Sequence, residues 1–409
     1  VLKNITLEMY GVYQSWALVA VMVSVVWADH HQHEENKPSY KILSSPNADF
    51  AFALYKSLNT RTPAGKNIFY SPLGISTALS MVSTGARGDT QQQVFSSLGY
   101  SALNQTQVNE AYGNLFMHGY SRDNLKLDVG NALAVRSGFS PMEKFLTDIR
   151  SYYSGEIFNV NMDRRAEAVA EINAHIANKT RNKIKDMVKD LDTNMTMVLM
   201  NYVYFKGLWQ KPFNQDDTRK ANFHVNTTTK VTIDMMKRTG HYKAYWDNGN
   251  HTTVIMLPYK GNSTMMVVLP KEGKMKEVEN LISRDSIRHW RKSVSTRYVE
   301  LIMPKFFVSA DASLKEILKE MGMTKAFENT ADFSGISNKV KIKLSKVSHR
   351  ATLSVTEKGT EAAASTVVEF TLHSLPPTVR VNRPFLVFIL ESVTDSILFM
   401  GKINNPADV

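Results

Sequence analysis

The sequence predicts an α+β fold, and three observations predict it. Early segments place apolar residues at every third or fourth position, the spacing of amphipathic helices. In mid-chain, MTMVLMNYVYF (195–205) is nearly all apolar, which suits a strand covered on both faces. Near the end, Phe385–Leu390 and Ile397–Met400 flank Ser-Val-Thr-Asp-Ser, which reads as a hairpin with a short loop. In chain order, Phe50, Leu54 and Leu58 mark a first helix. Ile75, Leu79 and Val82 mark a second, entered through Ser71-Pro72 as cap and first-turn proline. Val169, Ile172 and Ile176 mark a third. After the buried strand, Val299, Leu301 and Met303 alternate with Glu300 and Ile302, the period of a β-strand.

The chain has 409 residues, 43% hydrophobic and 21% charged, so it is globular in composition and long enough for a large core. No repeat or biased linker divides it, and residues 46–409 are expected to form one domain. The run Trp16–Trp27 is apolar, uncharged and too short to span a bilayer comfortably, as in the core of a secretory signal. Cleavage is expected after Ala28, Met9 is the expected start, and residues 29–45 form a polar tail. A signal anchor is the alternative.

A secreted chain fits the Asn-x-Ser/Thr sites at Asn104, Asn178, Asn194, Asn226, Asn250 and Asn262. There is no cysteine, which excludes thiol catalysis, disulfides and Cys-ligated zinc. The sequence carries no Gly-x-Ser-x-Gly elbow, no phosphate-binding glycine loop and no His-Glu-x-x-His, so no enzyme class is indicated. His30, His31 and His33 sit in the polar tail, where composition favours a tail over a metal site.

The net charge is +11 and the pI about 9.4. Part of this charge is patterned. Arg284, Arg288, Arg291 and Lys292 fall at helical spacing on one stripe, with Arg297 just beyond. A sulfated polysaccharide would bind such a stripe by releasing counter-ions; a solvated helix face is the plain alternative.

The stretch EKGTEAAASTVVEFTLHS (357–374) alternates like a half-buried strand. From Thr360 to His373, one face carries Thr360, Ala362, Ala364, Thr366, Val368, Phe370 and Leu372 and no charge; the other carries Glu361, Glu369 and His373. Its front half is alanine-rich, and alanine is a poor strand former. The stretch therefore reads as a loop with the pattern of a strand, able to lie outside a sheet and to fit within one. An ordinary edge strand is the alternative.

These residues resemble the reactive-centre loop of the serpins, the serine protease inhibitor superfamily, and the α1-antitrypsin type within it. The resemblance runs from about residue 46 to Pro406 and rests on several motifs in order. They are Asn67-Ile-Phe-Tyr-Ser-Pro-Leu-Gly-Ile-Ser, Gly85-Ala-Arg-Gly-Asp-Thr90, Asn201-Tyr-Val-Tyr-Phe-Lys-Gly-Leu-Trp209, Val381-Asn-Arg-Pro-Phe-Leu and Leu398-Phe-Met-Gly-Lys-Ile403. It implies about nine helices around three β-sheets, with an exposed loop, residues 357–377, that can insert into the main sheet. It also implies a secreted suicide inhibitor and not an enzyme. The protease would attack the loop, form an acyl-enzyme, and be distorted as the loop inserts.

Counted from Glu357, the scissile bond falls between His373 and Ser374. Histidine suits no standard specificity pocket well, and a chymotrypsin-like or elastase-like target is the expectation. Within the hinge, which comprises Glu357, Gly359, Thr360, Glu361, Ala362, Ala363 and Ala364, the run Thr360–Thr366 has no bulky, charged or proline residue except the outward Glu361, which favours an inhibitor. The alternative is a non-inhibitory carrier of a small hydrophobic ligand or hormone on the same fold. The resemblance further places Lys305 and Trp209 at the top of the main sheet, with Lys305 pairing Glu357. It places Ser71, Asn201 and His349 under the sheet centre. Gly74 stands where the family often has serine. The basic stripe occupies the place where some relatives bind heparin, so a sulfated glycan is the one accelerator expected. A monomer is expected, with neither nucleic acid nor membrane as a partner.

Overall fold

The computed structural model describes residues 39–118, 125–359 and 375–408. The signal segment, its cleavage site and the tail histidines lie outside the described residues. So do Thr360–Ala364, His373 and Ser374.

A short 3-10 turn, Ser39–Leu43, leads into helix α1 (Ser44–Arg61). There follow β1 (Ile68–Tyr70), α2 (Pro72–Ser83), α3 (Gly88–Leu98), α4 (Gln105–His118), β2 (Leu125–Arg136), α5 (Glu143–Tyr153), β3 (Gly155–Val160) and α6 (Arg165–Lys179). The middle of the chain forms β4 (Met197–Gly207), β5 (Arg219–His224), β6 (Lys230–Asp247), β7 (Thr252–Pro258), β8 (Ser263–Pro270), α7 (Met275–Leu281) and α8 (Arg284–Ser293). The rest forms β9 (Ser295–Pro304), β10 (Phe306–Ser313), α9 (Lys315–Glu320), β11 (Leu344–Val355), β12 (Thr378–Arg380), β13 (Phe385–Glu391) and β14 (Ser396–Ile403). The described residues thus hold nine α-helices, as expected.

The strands form one five-stranded sheet, β10-β11-β4-β2-β3, and a nine-stranded one, β1-β14-β13-β8-β7-β6-β9-β12 with β5 on β6. The expected three sheets appear as two hydrogen-bonded networks because β6 is 18 residues long. Its start pairs with β5, its middle with β9 and its end with β7, so one strand joins what would be two sheets.

The strand predicted to be covered on both faces is so covered. On β4, Met197, Leu199, Val203 and Phe205 enter the main core. Val198, Met200 and Tyr202 enter a second cluster beneath α6, with Ile172 and Ile176. The period of two thus feeds two hydrophobic layers at once, which is why the run shows no polar alternation.

Helix α2 lies between the sheets and packs on β14, β4 and β2. All twelve of its residues are buried, polar ones included. Ser76 and Thr77 donate to the Leu73 carbonyl at 3.0 and 2.7 Å, and Ser80 donates to the Ser76 carbonyl at 2.7 Å. Each hydroxyl satisfies its donor within the helix, so burial leaves few orphaned groups.

Candidate functional site

The five-stranded sheet has one parallel pair at its centre. β11 and β4 run side by side from Leu344 opposite Met197 to Leu353 opposite Phe205. Their other neighbours, β10 and β2, are antiparallel to them. About 140 residues of chain separate the two strands, so no short connection holds them together.

Under the middle of this pair, His349 on β11 lies directly opposite Asn201 on β4. Ser71 reaches them from below, because Ser71-Pro72 starts α2 as predicted: its Oγ accepts from the Gly74 N–H at 3.1 Å and donates to the Leu398 carbonyl at 2.7 Å. The Ser71 backbone N–H donates to His349 Nε2 at 3.0 Å. A backbone N–H can only donate, so Nε2 is the bare nitrogen and Nδ1 carries the proton. Nδ1–H then donates to Asn201 Oδ1 at 2.8 Å. The Asn201 amide donates onward to Asn131 Oδ1 at 2.8 Å and to the Gly130 carbonyl at 3.2 Å, and Asn131 donates to the Tyr153 carbonyl at 3.2 Å. The result is a one-directional chain of buried hydrogen bonds crossing β11, β4 and β2. His349 is 1% exposed, and burial lowers its pKa to about 3, so the ring is neutral.

The structure thus brings Ser71, Asn201 and His349 together and adds Gly130 and Asn131, which the sequence reading missed. The available signal was a polar residue inside the apolar run VGNALAV (129–135). Gly74 is accounted for by space: a Cβ there would stand 2.6 Å from both Asn201 Oδ1 and Val203 Cγ2.

At the top of the pair, the chain leaves β11 through a turn at Thr356–Gly359. Gly359 has φ +89°, and its N–H donates to the Thr356 carbonyl at 3.1 Å. A Cβ on Gly359 would collide with the Gly207 carbonyl and the Trp209 amide, so glycine is required for conformation and for space. Trp209 is 2% exposed and stacks on Tyr259 at 4.3 Å; its indole N–H donates to the Thr356 carbonyl at 2.8 Å. Glu357 has a side chain only 7% exposed and pairs with Lys305 at 3.1 Å. It also accepts from Thr218 Oγ1 at 3.0 Å, while its carbonyl accepts from the Phe213 N–H at 2.8 Å. Burial pushes the Glu357 carboxyl up. Its own backbone amide, Lys305 and Thr218 outweigh that and hold it below the usual carboxylate range. The expected Lys305–Glu357 pair is therefore in place, and it pins the start of the loop.

Helix α8 forms over the predicted basic stripe, with Ile287 and Trp290 facing the core. Its charges are largely compensated. Arg284 pairs with Asp49 at 3.5 Å, Arg288 with Asp285 at 3.0 Å, and Arg291 with Asp395. Lys292 and Arg297 are exposed. Asp49 and Asp395 come from distant parts of the chain, so the sequence stripe did not reveal them.

Of the six glycosylation sequons, Asn104, Asn178, Asn194 and Asn226 are exposed. Asn250 and Asn262 are half-buried, and the Asn250 amide donates to Asp247 Oδ2 at 2.7 Å. Among the described residues no group of three or more His, Asp or Glu side chains is placed to hold a metal ion. No helix among them is long and apolar enough to cross a membrane.

A family model described as "Serpin (serine protease inhibitor)" matches residues 45–406. The α1-antitrypsin homolog of Cyprinus carpio is 47% identical over 366 residues, covering 87% of this chain and 98% of that protein. The corticosteroid-binding globulin of Ovis aries is 39% identical over 372 residues, covering 90% of this chain and 86% of that protein. Among solved structures, human thyroxine-binding globulin complexed with its hormone superposes with a TM-score of 0.86 at 37% identity, covering 90% of this chain and all of that one.

Proposed function

Because the chain belongs to the serpin family, we propose that it is a secreted suicide inhibitor of serine proteases. Its loop is cut between His373 and Ser374, and the protease is trapped as an acyl-enzyme while the freed loop enters the five-stranded sheet. The observation that carries this reading is the parallel pair β11–β4 with a reversing turn at its top. A strand leaving β11 through Thr356–Gly359 and lying between the two would be antiparallel to both. One parallel ladder, slightly the weaker kind per residue, would be exchanged for two antiparallel ladders. The sequence after the turn has small residues on the face without charge, so it can pass between the strands at little steric cost. The target is a chymotrypsin-like or elastase-like protease, because His373, Leu372 and Phe370 offer no cation to a trypsin-like pocket.

The test is a gel. The purified chain is mixed separately with chymotrypsin, elastase and trypsin, and the cut is mapped by mass. A complex that survives detergent, with cleavage after His373, is expected. Thr360→Arg or Ala362→Arg should abolish the complex and leave cleavage intact, since a buried unpaired charge blocks insertion. Full retention of the complex by both variants would count against insertion.

A second reading is favoured by two of the relatives, which are named for binding corticosteroid and thyroxine. Under it the chain is a carrier of a small hydrophobic ligand, and the loop is cut by every protease tried without a complex forming.

A sulfated glycan is the accelerator the basic stripe would take. It would have to displace Asp49, Asp285 and Asp395 from their arginines, so binding should be weak and sensitive to salt. Elution from heparin at the same salt by the wild type and by Arg288→Glu/Arg291→Glu would remove it.

A further inference from the structure

A cavity of about 540 Å³ opens between the middle of β6, the end of β7 and the last turn of α8, next to Trp209. Its charge is one-sided: Lys211, Arg238, Lys243 and Arg291 line it together with His241, and among the described residues no carboxylate does. Arg291 is engaged by Asp395, which lies outside the lining. Lys211, Arg238 and Lys243 have no ion-pair partner among the described residues. Trp209, Tyr242, Met256 and Leu257 supply apolar walls.

Arg238 is set in place rather than loose. On β6, residues 238, 240 and 242 share a face. The Arg238 guanidinium lies along that face, 5.3 Å from the centre of the Tyr242 ring. The position between them is glycine, and a Cβ there would stand 2.9 Å from an Arg238 guanidinium nitrogen. Glycine inside a strand weakens it and often marks a place where another group must come close. Gly240 has no positive φ to account for it. Its role is the room it leaves for the guanidinium.

We propose that this cavity binds a small organic anion, a carboxylate or sulfonate on a flat apolar body. Arg238 holds the acid group from one face of β6 and Lys243 closes the cavity from the other, while the ring body lies against Trp209 and Leu257. The size suits one small molecule, and the mixture of apolar wall and a few convergent polar groups is that of a ligand site. Cations gathered in a cleft with low-dielectric walls focus their field on such an anion. The site is separate from the loop chemistry and stands whether the chain traps proteases or carries a hormone. It is nevertheless joined to the loop base, because Trp209 lines the cavity and donates its indole N–H to the Thr356 carbonyl.

Calorimetric titration of the full chain with 2-naphthalenesulfonate tests this. One saturable site is expected, with 2-naphthol at least tenfold weaker. Arg238→Met and Lys243→Met should each weaken the sulfonate about tenfold, and Gly240→Ala should do so by displacing the guanidinium. Arg284→Gln, on the far turn of α8, should leave it unchanged. Thermal melts of each variant separate loss of binding from loss of fold, and for any variant that fails to fold Gly240→Ala and the 2-naphthol comparison decide. No saturable binding by the wild type, equal binding of the naphthol, or unchanged binding in Arg238→Met and Gly240→Ala would overturn the proposal. So would binding of a heparin oligosaccharide, lost on Arg238→Met, with none of the sulfonate.

Discussion

A proton on His349 would have nowhere to go. Nε2 already accepts from the Ser71 amide and Nδ1 already donates to Asn201, so a second ring proton would set two donors against each other. Folding therefore holds the ring neutral down to about pH 3, whereas the unfolded chain protonates it near 6.5. The folded pKa is the lower one, so this contribution to stability is complete above 6.5 and declines as pH falls from there towards 3. Between pH 7 and 5 the loss from this one group is about 2 kcal/mol. Urea unfolding of His349→Gln should show a pH dependence smaller by about that amount; an unchanged dependence would sink the assignment. Lys305 is the second residue with a measurable role. Lys305→Met leaves Glu357 buried without its cation and should cost about 1–3 kcal/mol at pH 7. Glu357 has the depressed pKa, so its contribution is present above the ordinary 4.5 and lost as pH falls through the folded value. The difference between wild type and variant should therefore shrink in acid.

At the scale of elements, the turn at Thr356–Gly359 decides how the loop leaves the sheet. Its hydrogen bonds run to Trp209 and Phe213, and Gly359 fits where no side chain does. Gly359→Ala should detach the turn from Trp209 while leaving β11 and β4 intact. Faster amide exchange confined to residues 356–359, with a red-shifted tryptophan emission, is the expected result. Normal exchange in that variant would mean that the turn is not held by the contacts described. The strand predicted across Met195–Phe205 and the helix behind Ser71-Pro72 were legible because each has a clean period and a recognisable start. Gly130 and Asn131 were not legible as part of a network. Their partners are two strands away, and no spacing along the chain encodes that distance.

For the whole molecule, the described sheet is a five-stranded arrangement with a parallel seam, and insertion would make it six-stranded. If the loop enters the seam after cleavage, the cut chain should unfold at a markedly higher temperature than the intact one, because two antiparallel ladders replace one parallel ladder. A cut chain that melts where the intact chain does has not inserted its loop. The same comparison on Thr360→Arg should show cleavage without the gain.

By itself, the sequence determined the α+β class, the main helices and strands, and the family whose motifs it carries in order. Those are properties of local period, of caps and of short motifs, and each can be read within a dozen residues. Tertiary structure alone decided three further things. It placed residues 71, 201 and 349 within hydrogen-bonding distance and fixed the histidine tautomer. It set Asp49 and Asp395 against two arginines of the basic stripe. It left Arg238 and Lys243 facing a cavity with no counter-charge among the described residues. All three depend on which surfaces meet when distant segments close on one another. A charge or a hydrogen bond is completed by what stands within about 3 Å, which the order of residues along the chain does not state.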